Sequence, residues 1–244
     1  MIALRVQTNF LQPSVEILNI RIDEPITTIT DILLALICLY GYMQIRKLEH
    51  GGRCKSYFLY YFLVLGLGAL TGGLLGHGFQ YRLAEEWKLV SWILTPVSVA
   101  LMVQALLEVA RPFLTNKIVK MISWFNLLVF IPVLVILIWT VDFSLVKYYS
   151  IFGYVVLSGS LCYYIYQRSR NKGVLFIIGG VGIGIISAII FSLEWGFSAW
   201  FNHRDVGHII LCFSVIYAYK GARLTIRSMS IFDAAESSGN INPV

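Results

Sequence analysis

The chain has 244 residues, of which 58% are hydrophobic and only 13% are charged, and its mean hydropathy is +0.75. A soluble domain of this length carries roughly a quarter charged residues. The composition therefore excludes a cytosolic globular protein and a disordered chain, and it excludes a nucleic-acid-binding module despite the net charge of +6. We predict an all-α polytopic membrane protein with one helical domain.

Residues 1–29 are expected to form an extracytoplasmic segment, in which residues 15–22 alternate loosely between apolar and polar side chains, as a short strand or a surface helix does. Seven apolar runs of bilayer-spanning length, about 20 residues each, follow within residues 30–229. They lie near residues 30–46, 56–79, 89–110, 118–139, 146–166, 173–198 and 206–222. Residues 230–244 are rich in Ser, Asn and Gly and are expected to form a disordered cytoplasmic tail.

The basic residues predict the orientation of these spans, because loops on the cytoplasmic side retain Lys and Arg. Thirteen of the 19 basic residues lie in the loops after spans one, three and five or near the end of span seven. The other six lie on the opposite side of the predicted bundle. The bias places the N-terminus outside and the C-terminus in the cytoplasm, and the short loops favour a bacterial inner membrane.

Glycines in two spans recur at intervals of four residues, with Gly68, Gly72 and Gly76 in the second span and Gly180 and Gly184 in the sixth. This spacing lets helices approach closely in a membrane, where burial of apolar surface adds little driving force. We expect these glycines to serve helix packing.

Ionisable side chains gather at the predicted outer ends of the spans. Such residues are costly near a membrane, so each is a candidate for a functional site. Three of the four histidines and three carboxylates lie at this end. They are Asp31 in span one, His77 in span two, Glu194 in span six, and His203, Asp205 and His208 in the motif HRDVGH before span seven. The clustering predicts a polar site shared by Asp31, His77 and His208.

Histidines in this number indicate a metal site. Imidazole is a common ligand of zinc, and three protein ligands leave a fourth position open for water. We predict that His77, His208 and either His203 or Asp205 bind zinc. Because Asp205 and His208 are three residues apart on one helical face, Asp205 has an alternative role in orienting His208 or a metal-bound water.

A zinc site at the membrane surface predicts hydrolysis. Zinc lowers the pKa of the water that it binds, which provides a nucleophile for attack on an amide or an ester. Asp31 and Glu194 are the candidate acid–base or supporting groups. At the outer edge of a bilayer, the expected substrate and partner is a membrane lipid that enters between the helices.

Several of these residues stand in a known pattern: an acidic segment ending at Glu24 precedes span one, His77 lies late in span two and His208 lies in span seven. The arrangement resembles the CREST superfamily, which includes the alkaline ceramidases and the adiponectin/progestin receptors. That family has Ser-xxx-His in span two, Asp in span three and His-xxx-His in span seven. Here Gly73 replaces the serine, Arg204 replaces the first histidine of the last pair, and span three has no Asp. The resemblance implies a seven-span fold and zinc-dependent lipid amidase chemistry, with two of five positions matched.

Other interpretations stay open. His77 and His208 are also candidate axial ligands of haem b, since they lie on two different spans. A non-catalytic channel, accessory subunit or scaffold protein has the same composition. A retinal-binding photoreceptor is disfavoured, because the one lysine in span seven, Lys220, lies at its cytoplasmic end.

Overall fold

Seven long helices, numbered here in chain order, form the protein. The computed structural model describes residues 12–237. The helices are helix 1 (Pro25–Arg46), helix 2 (Gly52–Gly78), helix 3 (Lys88–Ala110), helix 4 (Asn116–Thr140), helix 5 (Phe143–Ser169), helix 6 (Lys172–Ser192) and helix 7 (His203–Ser237). Short 3₁₀ turns at Gln80–Arg82, Glu85–Trp87 and Arg111–Phe113 lie between them. All seven helices are long and apolar enough to cross a membrane.

Two of the helices contain a widened π-helical turn. Helix 2 is α-helical over Gly52–Thr71 and π-helical over Gly72–Gly78, where it ends. Helix 5 is α-helical over Phe143–Ile151 and Gly159–Ser169, with a π-helical segment at Phe152–Ser158 between them. Because π-helical turns frequently occur at functional sites, the segment in helix 2 that carries His77 is of particular interest.

The seven predicted spans are confirmed as helices, but some boundaries differ. Helix 1 begins at Pro25 rather than near residue 30, because proline is favoured in the first turn of a helix. Helix 6 ends at Ser192 rather than near residue 198, since the chain turns through the left-handed conformation at Glu194, with φ of 52°. Helix 7 continues to Ser237, into the segment for which we predicted a disordered tail. The rest of that segment, 238–244, lies outside the described residues.

A two-stranded antiparallel hairpin precedes helix 1, which confirms a strand rather than a surface helix at residues 15–22. Its strands are Val15–Ile17 and Ile20–Ile22. The two turn residues, Leu18 and Asn19, have φ angles of 51° and 62°. Two consecutive left-handed residues match the twist of the strands and make a tight connection. The backbone N–H of Asp23 then donates to the carbonyl of Gly78 at 2.9 Å, which ties the hairpin to the end of helix 2.

Helices 1, 2, 3 and 7 supply most of the buried apolar core, helices 5 and 6 contribute further residues to it, and helix 6 packs along helix 7. The glycines predicted to serve packing do so. A Cβ at Gly68 would lie 3.3 Å from Leu94 of helix 3, and one at Gly180 would lie 2.8 Å from the carbonyl oxygen of Ser214 in helix 7. Helix 4 is peripheral, because only 11% of its most apolar stretch of 18 residues is buried against the rest of the protein. The large apolar surface left on it is typical of a helix that faces lipid.

Candidate functional site

The start of helix 7 is fixed by a reciprocal capping arrangement. The Asn202 side chain accepts a hydrogen bond from the backbone N–H of Arg204 at 2.9 Å, and the Asp205 carboxylate accepts one from the backbone N–H of Asn202 at 2.7 Å. Both interactions satisfy N–H groups that a helix leaves free in its first turn. The HRDVGH motif therefore begins helix 7 at His203, and its register is set by Asp205.

Asp205 also joins helix 7 to the start of helix 1. Its carboxylate accepts a hydrogen bond from the Thr27 hydroxyl at 2.7 Å and one from the Gln12 side-chain amide at 3.1 Å, and the residue is completely buried. Gln12 in turn accepts a hydrogen bond from the backbone N–H of Ile26 at 3.0 Å. Donors from three segments thus surround the Asp205 carboxylate. Asp205 therefore has a structural role at the start of helix 7, and its predicted roles as a zinc ligand or as a partner of His208 stay predictions.

His77 lies in the π-helical end of helix 2, where small neighbours let helix 1 approach closely. A Cβ at Gly73 would lie 2.7 Å from the Cβ of Asp31, and one at Gly78 would lie 3.2 Å from the hydroxyl of Thr28. The Thr28 hydroxyl donates a hydrogen bond to the carbonyl oxygen of Gly73 at 3.3 Å. The glycines around His77 therefore bring helix 1 against the segment that carries the imidazole.

Glu24 connects three segments at this end of the bundle, which we call the site end. One carboxylate oxygen lies 2.5 Å from Nδ1 of His77 in helix 2, and the other lies 2.5 Å from a guanidinium nitrogen of Arg204 in helix 7. Burial favours a raised pKa for the Glu24 carboxyl, but the hydrogen bonds and charges of His77 and Arg204 outweigh burial and lower the pKa to about 2. Glu24 is therefore a carboxylate that fixes the orientation of the His77 ring.

Asp31 lies close to both His77 and His208. Its carboxylate oxygens lie 3.9 Å from Nε2 of His77 and 3.5 Å from Nδ1 of His208, and its side chain is only 8% exposed. The two imidazole rings have their centroids 6.3 Å apart. Nδ1 of His208 also lies 3.2 Å from the hydroxyl of Thr30. Helices 1, 2 and 7 therefore bring Asp31, His77 and His208 into one cluster, which we call the Asp–His cluster.

The other predicted site residues lie outside the Asp–His cluster. His203 packs edge-on against Phe191 of helix 6, with ring centroids 5.3 Å apart. Glu194 is exposed in the loop after helix 6, and its charge acts on His203. His203 is at the first helical position of helix 7 and contacts helix 6, and no contact with Asp31 is found for it within the described side chains.

The side chains of the Asp–His cluster are not arranged as a complete metal site. Within residues whose side chains the structure describes, no group of three or more His, Cys, Asp or Glu side chains surrounds one point at metal-ligand distances. The polar partners of the Asp31 carboxylate among these residues are the two imidazoles, and neither is closer than 3.5 Å. Asp31 is thus a buried carboxylate without a short hydrogen bond.

Comparison with protein families gives one match, to a model described as "Family of unknown function (DUF6962)", over residues 26–226. This range covers most of the 244-residue chain. The chain belongs to this family. The matched range contains all three residues of the Asp–His cluster and begins two residues after Glu24. Neither the curated proteins nor the solved structures contain a significant match to the chain.

Several residues of the site end were not predicted. Thr27 and Thr30 are buried on the face of helix 1 that also carries the predicted Asp31, and Glu24 was noted only as part of an acidic segment. A signal for this face was present, since polar residues at intervals of three and four in an apolar span indicate a helix face that contacts other protein segments. Gln12 gave no such signal, because its partners are distant in sequence.

Proposed function

We propose that the protein is a zinc-dependent hydrolase embedded in a membrane, acting on a lipid amide or ester near the outer face of a bacterial inner membrane. The orientation rests on the distribution of basic residues, which places the site end outside. The observation that carries the proposal is the Asp31 carboxylate, which is buried between two imidazoles and has no short hydrogen bond.

A buried carboxylate without a hydrogen bond is costly, so the cluster favours a positive partner for Asp31. His77 directs Nδ1 toward Glu24, so the lone pair of its Nε2 faces Asp31 when Nδ1 carries the proton. Two electron-rich atoms facing each other at 3.9 Å are stabilised by a cation or a shared proton between them. The geometry therefore suits a site that binds a cation.

Zinc fits this donor set. Ligand atoms bound to one zinc at about 2.0–2.1 Å in a tetrahedral arrangement lie about 3.3 Å apart. The separations of 3.5 and 3.9 Å between the Asp31 oxygens and the imidazole nitrogens are longer than that value, so the three side chains would have to move closer together to bind one ion. His77 through Nε2, Asp31 through its carboxylate and His208 through a ring nitrogen would hold the ion. Glu24 would orient His77, as carboxylates commonly orient zinc-bound histidines.

The chemistry follows from these positions. Bound zinc supplies a charge that polarises a carbonyl and lowers the pKa of a water molecule. Glu24 keeps Nε2 of His77 directed at Asp31. The buried hydrogen bond from Thr27 to Asp205 holds helix 7, and therefore His208, against helix 1. Arg204, with 36% of its side chain exposed, lies at the edge of the site, where it contacts solvent or a lipid head group.

The haem alternative has less support. A porphyrin needs a flat gap between its two axial histidines, with small residues along it. Here the Asp31 carboxylate lies close to the facing nitrogens of both His77 and His208, and its Cβ packs against Gly73. A non-catalytic metal-binding protein with the same cluster is the second candidate, and the same geometry supports it as strongly as it supports a hydrolase.

The first test is the metal content of the full chain purified in detergent, measured by elemental mass spectrometry with an absorbance spectrum. We expect about one zinc per chain in the parent and loss of that zinc in His77→Ala and in Asp31→Asn. His50→Ala is the matched control, since His50 is exposed in the loop between helices 1 and 2. Retention of stoichiometric metal in both cluster variants would overturn the assignment, and a Soret band in the parent would replace zinc with haem.

Hydrolysis is tested separately by incubating the zinc-loaded protein with mixed lipid amides and esters and measuring released fatty acid by mass spectrometry. We expect release that a zinc chelator abolishes and that His77→Ala lacks. One bound zinc without any release would support the non-catalytic candidate instead.

A further inference from the structure

An apolar groove lies at the end of the bundle opposite the Asp–His cluster. It has a volume of about 480 Å³ and runs between helix 4 and helix 5. Its walls include Leu114, Met121 and Phe125 on one side and Leu157, Leu161 and Tyr164 on the other. Helix 4 begins and helix 5 ends at this end of the bundle, because consecutive helices run in opposite directions from the start of helix 1 at the site end.

Each wall of the groove continues into a basic residue. Lys117 lies one helical turn before Met121 on helix 4, and Arg168 lies one turn after Tyr164 on helix 5, so each shares the face that lines the groove. Both are exposed, and the Arg168 guanidinium lies 5.5 Å from the centre of the Tyr164 ring. The Tyr164 hydroxyl donates to the carbonyl of Phe113 at 2.7 Å, which fixes that ring at the end of the groove.

The two cations are available for an anion. Among the residues whose side chains the structure describes, no carboxylate forms an ion pair with Lys117 or Arg168. Nearby Arg111 differs, because its guanidinium is bound by Glu108 at 2.7 and 2.8 Å. Within this part of the chain, the groove thus combines apolar walls with two exposed cations at one end.

We propose that this groove binds an anionic phospholipid, with one acyl chain between helices 4 and 5 and the head-group phosphate at Lys117 and Arg168. The inference assumes only that the seven apolar helices lie in a membrane, and it is independent of zinc at the opposite end. In a bilayer an apolar groove of this size is filled by hydrocarbon, because its apolar walls offer water few hydrogen-bond partners. The paired cations select a lipid with a negative head group, as basic residues near a membrane surface do.

The test is lipid binding to the full chain in detergent, followed by native mass spectrometry. The probes are dioleoyl phosphatidylglycerol, which is anionic, and dioleoyl phosphatidylcholine, which is zwitterionic. We expect the parent to prefer phosphatidylglycerol. The Lys117→Ala, Arg168→Ala double variant should weaken that binding about 25-fold, because each basic side chain contributes a factor of about 5. Its binding of phosphatidylcholine should change little.

The matched control is the Arg46→Ala, Arg53→Ala double variant, which removes two exposed cations from the same end of the bundle but away from the groove. It should bind phosphatidylglycerol as the parent does. Leu157→Trp, which fills the groove, should weaken the binding of both lipids. Equal binding of the two lipids by the parent, or equal losses in the two double variants, would overturn the proposal. Competition by free glycerol phosphate at the concentrations where phosphatidylglycerol competes would show that the groove itself adds nothing.

Discussion

Neutralising Glu24 tests whether this carboxylate holds the site end together. The change is Glu24→Gln, which preserves the shape of the side chain and removes its charge. In the folded protein the pKa of Glu24 falls from its ordinary value of 4.5 to about 2. This difference corresponds to about 3 kcal/mol of stabilisation at neutral pH. Because the side chain is only 12% exposed, solvent screens the interactions with His77 and Arg204 weakly.

The sign of the pH dependence follows from the lowered pKa. The stabilisation by Glu24 is complete above pH 4.5 and is lost as the pH falls toward 2, where the folded protein also binds the proton. We expect Glu24→Gln to lower the free energy of unfolding by about 3 kcal/mol at pH 7 and to show a smaller loss of stability between pH 5 and pH 3 than the parent. Unfolding by SDS in mixed micelles, followed by circular dichroism, measures both quantities.

Glu85→Gln is the matched control for Glu24→Gln. Glu85 is 82% exposed and lies 3.7 Å from Lys88, and exposed ion pairs of this kind contribute little. Its substitution should leave the free energy of unfolding within about 1 kcal/mol of the parent value. If the two glutamine variants unfold alike, the bridge between His77 and Arg204 does not stabilise the protein and the reasoning fails.

Two further substitutions test the packing of the site end. Gly73→Ala should lower the free energy of unfolding by about 1–3 kcal/mol, because its Cβ would lie 2.7 Å from that of Asp31. The control is Gly182→Ala, whose Cβ would meet nothing within 4 Å and which should be neutral or stabilising by up to about 1 kcal/mol. Equal effects of the two substitutions in the same micelle titration would contradict the close contact at Gly73. Asp205→Ala should cost about 3 kcal/mol or more, since buried donors including Thr27 lose their acceptor. Asp205→Asn should keep the zinc content of the parent, and loss of zinc from a folded Asp205→Asn protein would return Asp205 to the ligand set.

The helices were predictable because a bilayer-spanning segment is recognised by its apolar composition over about 20 residues. All seven runs form helices, and Gly68 and Gly180 pack as their spacing indicated. The boundaries were less predictable, since they depend on single interactions. The start of helix 1 was predicted too late because its first turns carry Thr27 and Thr30, polar residues that lower the local hydropathy but contact residues of helix 7.

The candidate site was predictable in its members but not in its connections. Asp31, His77 and His208 were expected together because each lies near the same predicted membrane surface, and helices 1, 2 and 7 do place them in one cluster. The partner of each was not predictable, because partners depend on helix rotation and on the path of the segment before helix 1. The Asp205 carboxylate illustrates this, since its spacing from His208 suggested a shared role and its bonds go to Thr27 and Asn202.

The glycine at residue 73 has a physical explanation in the packing of helices 1 and 2. A side chain at residue 73 would enter the space that the Cβ of Asp31 fills, because the two Cβ positions would be 2.7 Å apart. The glycine at residue 73 and the aspartate at residue 31 are therefore coupled through this packing. A serine at residue 73 would displace Asp31 from the two histidines, so Gly73→Ser should weaken the zinc binding that we propose.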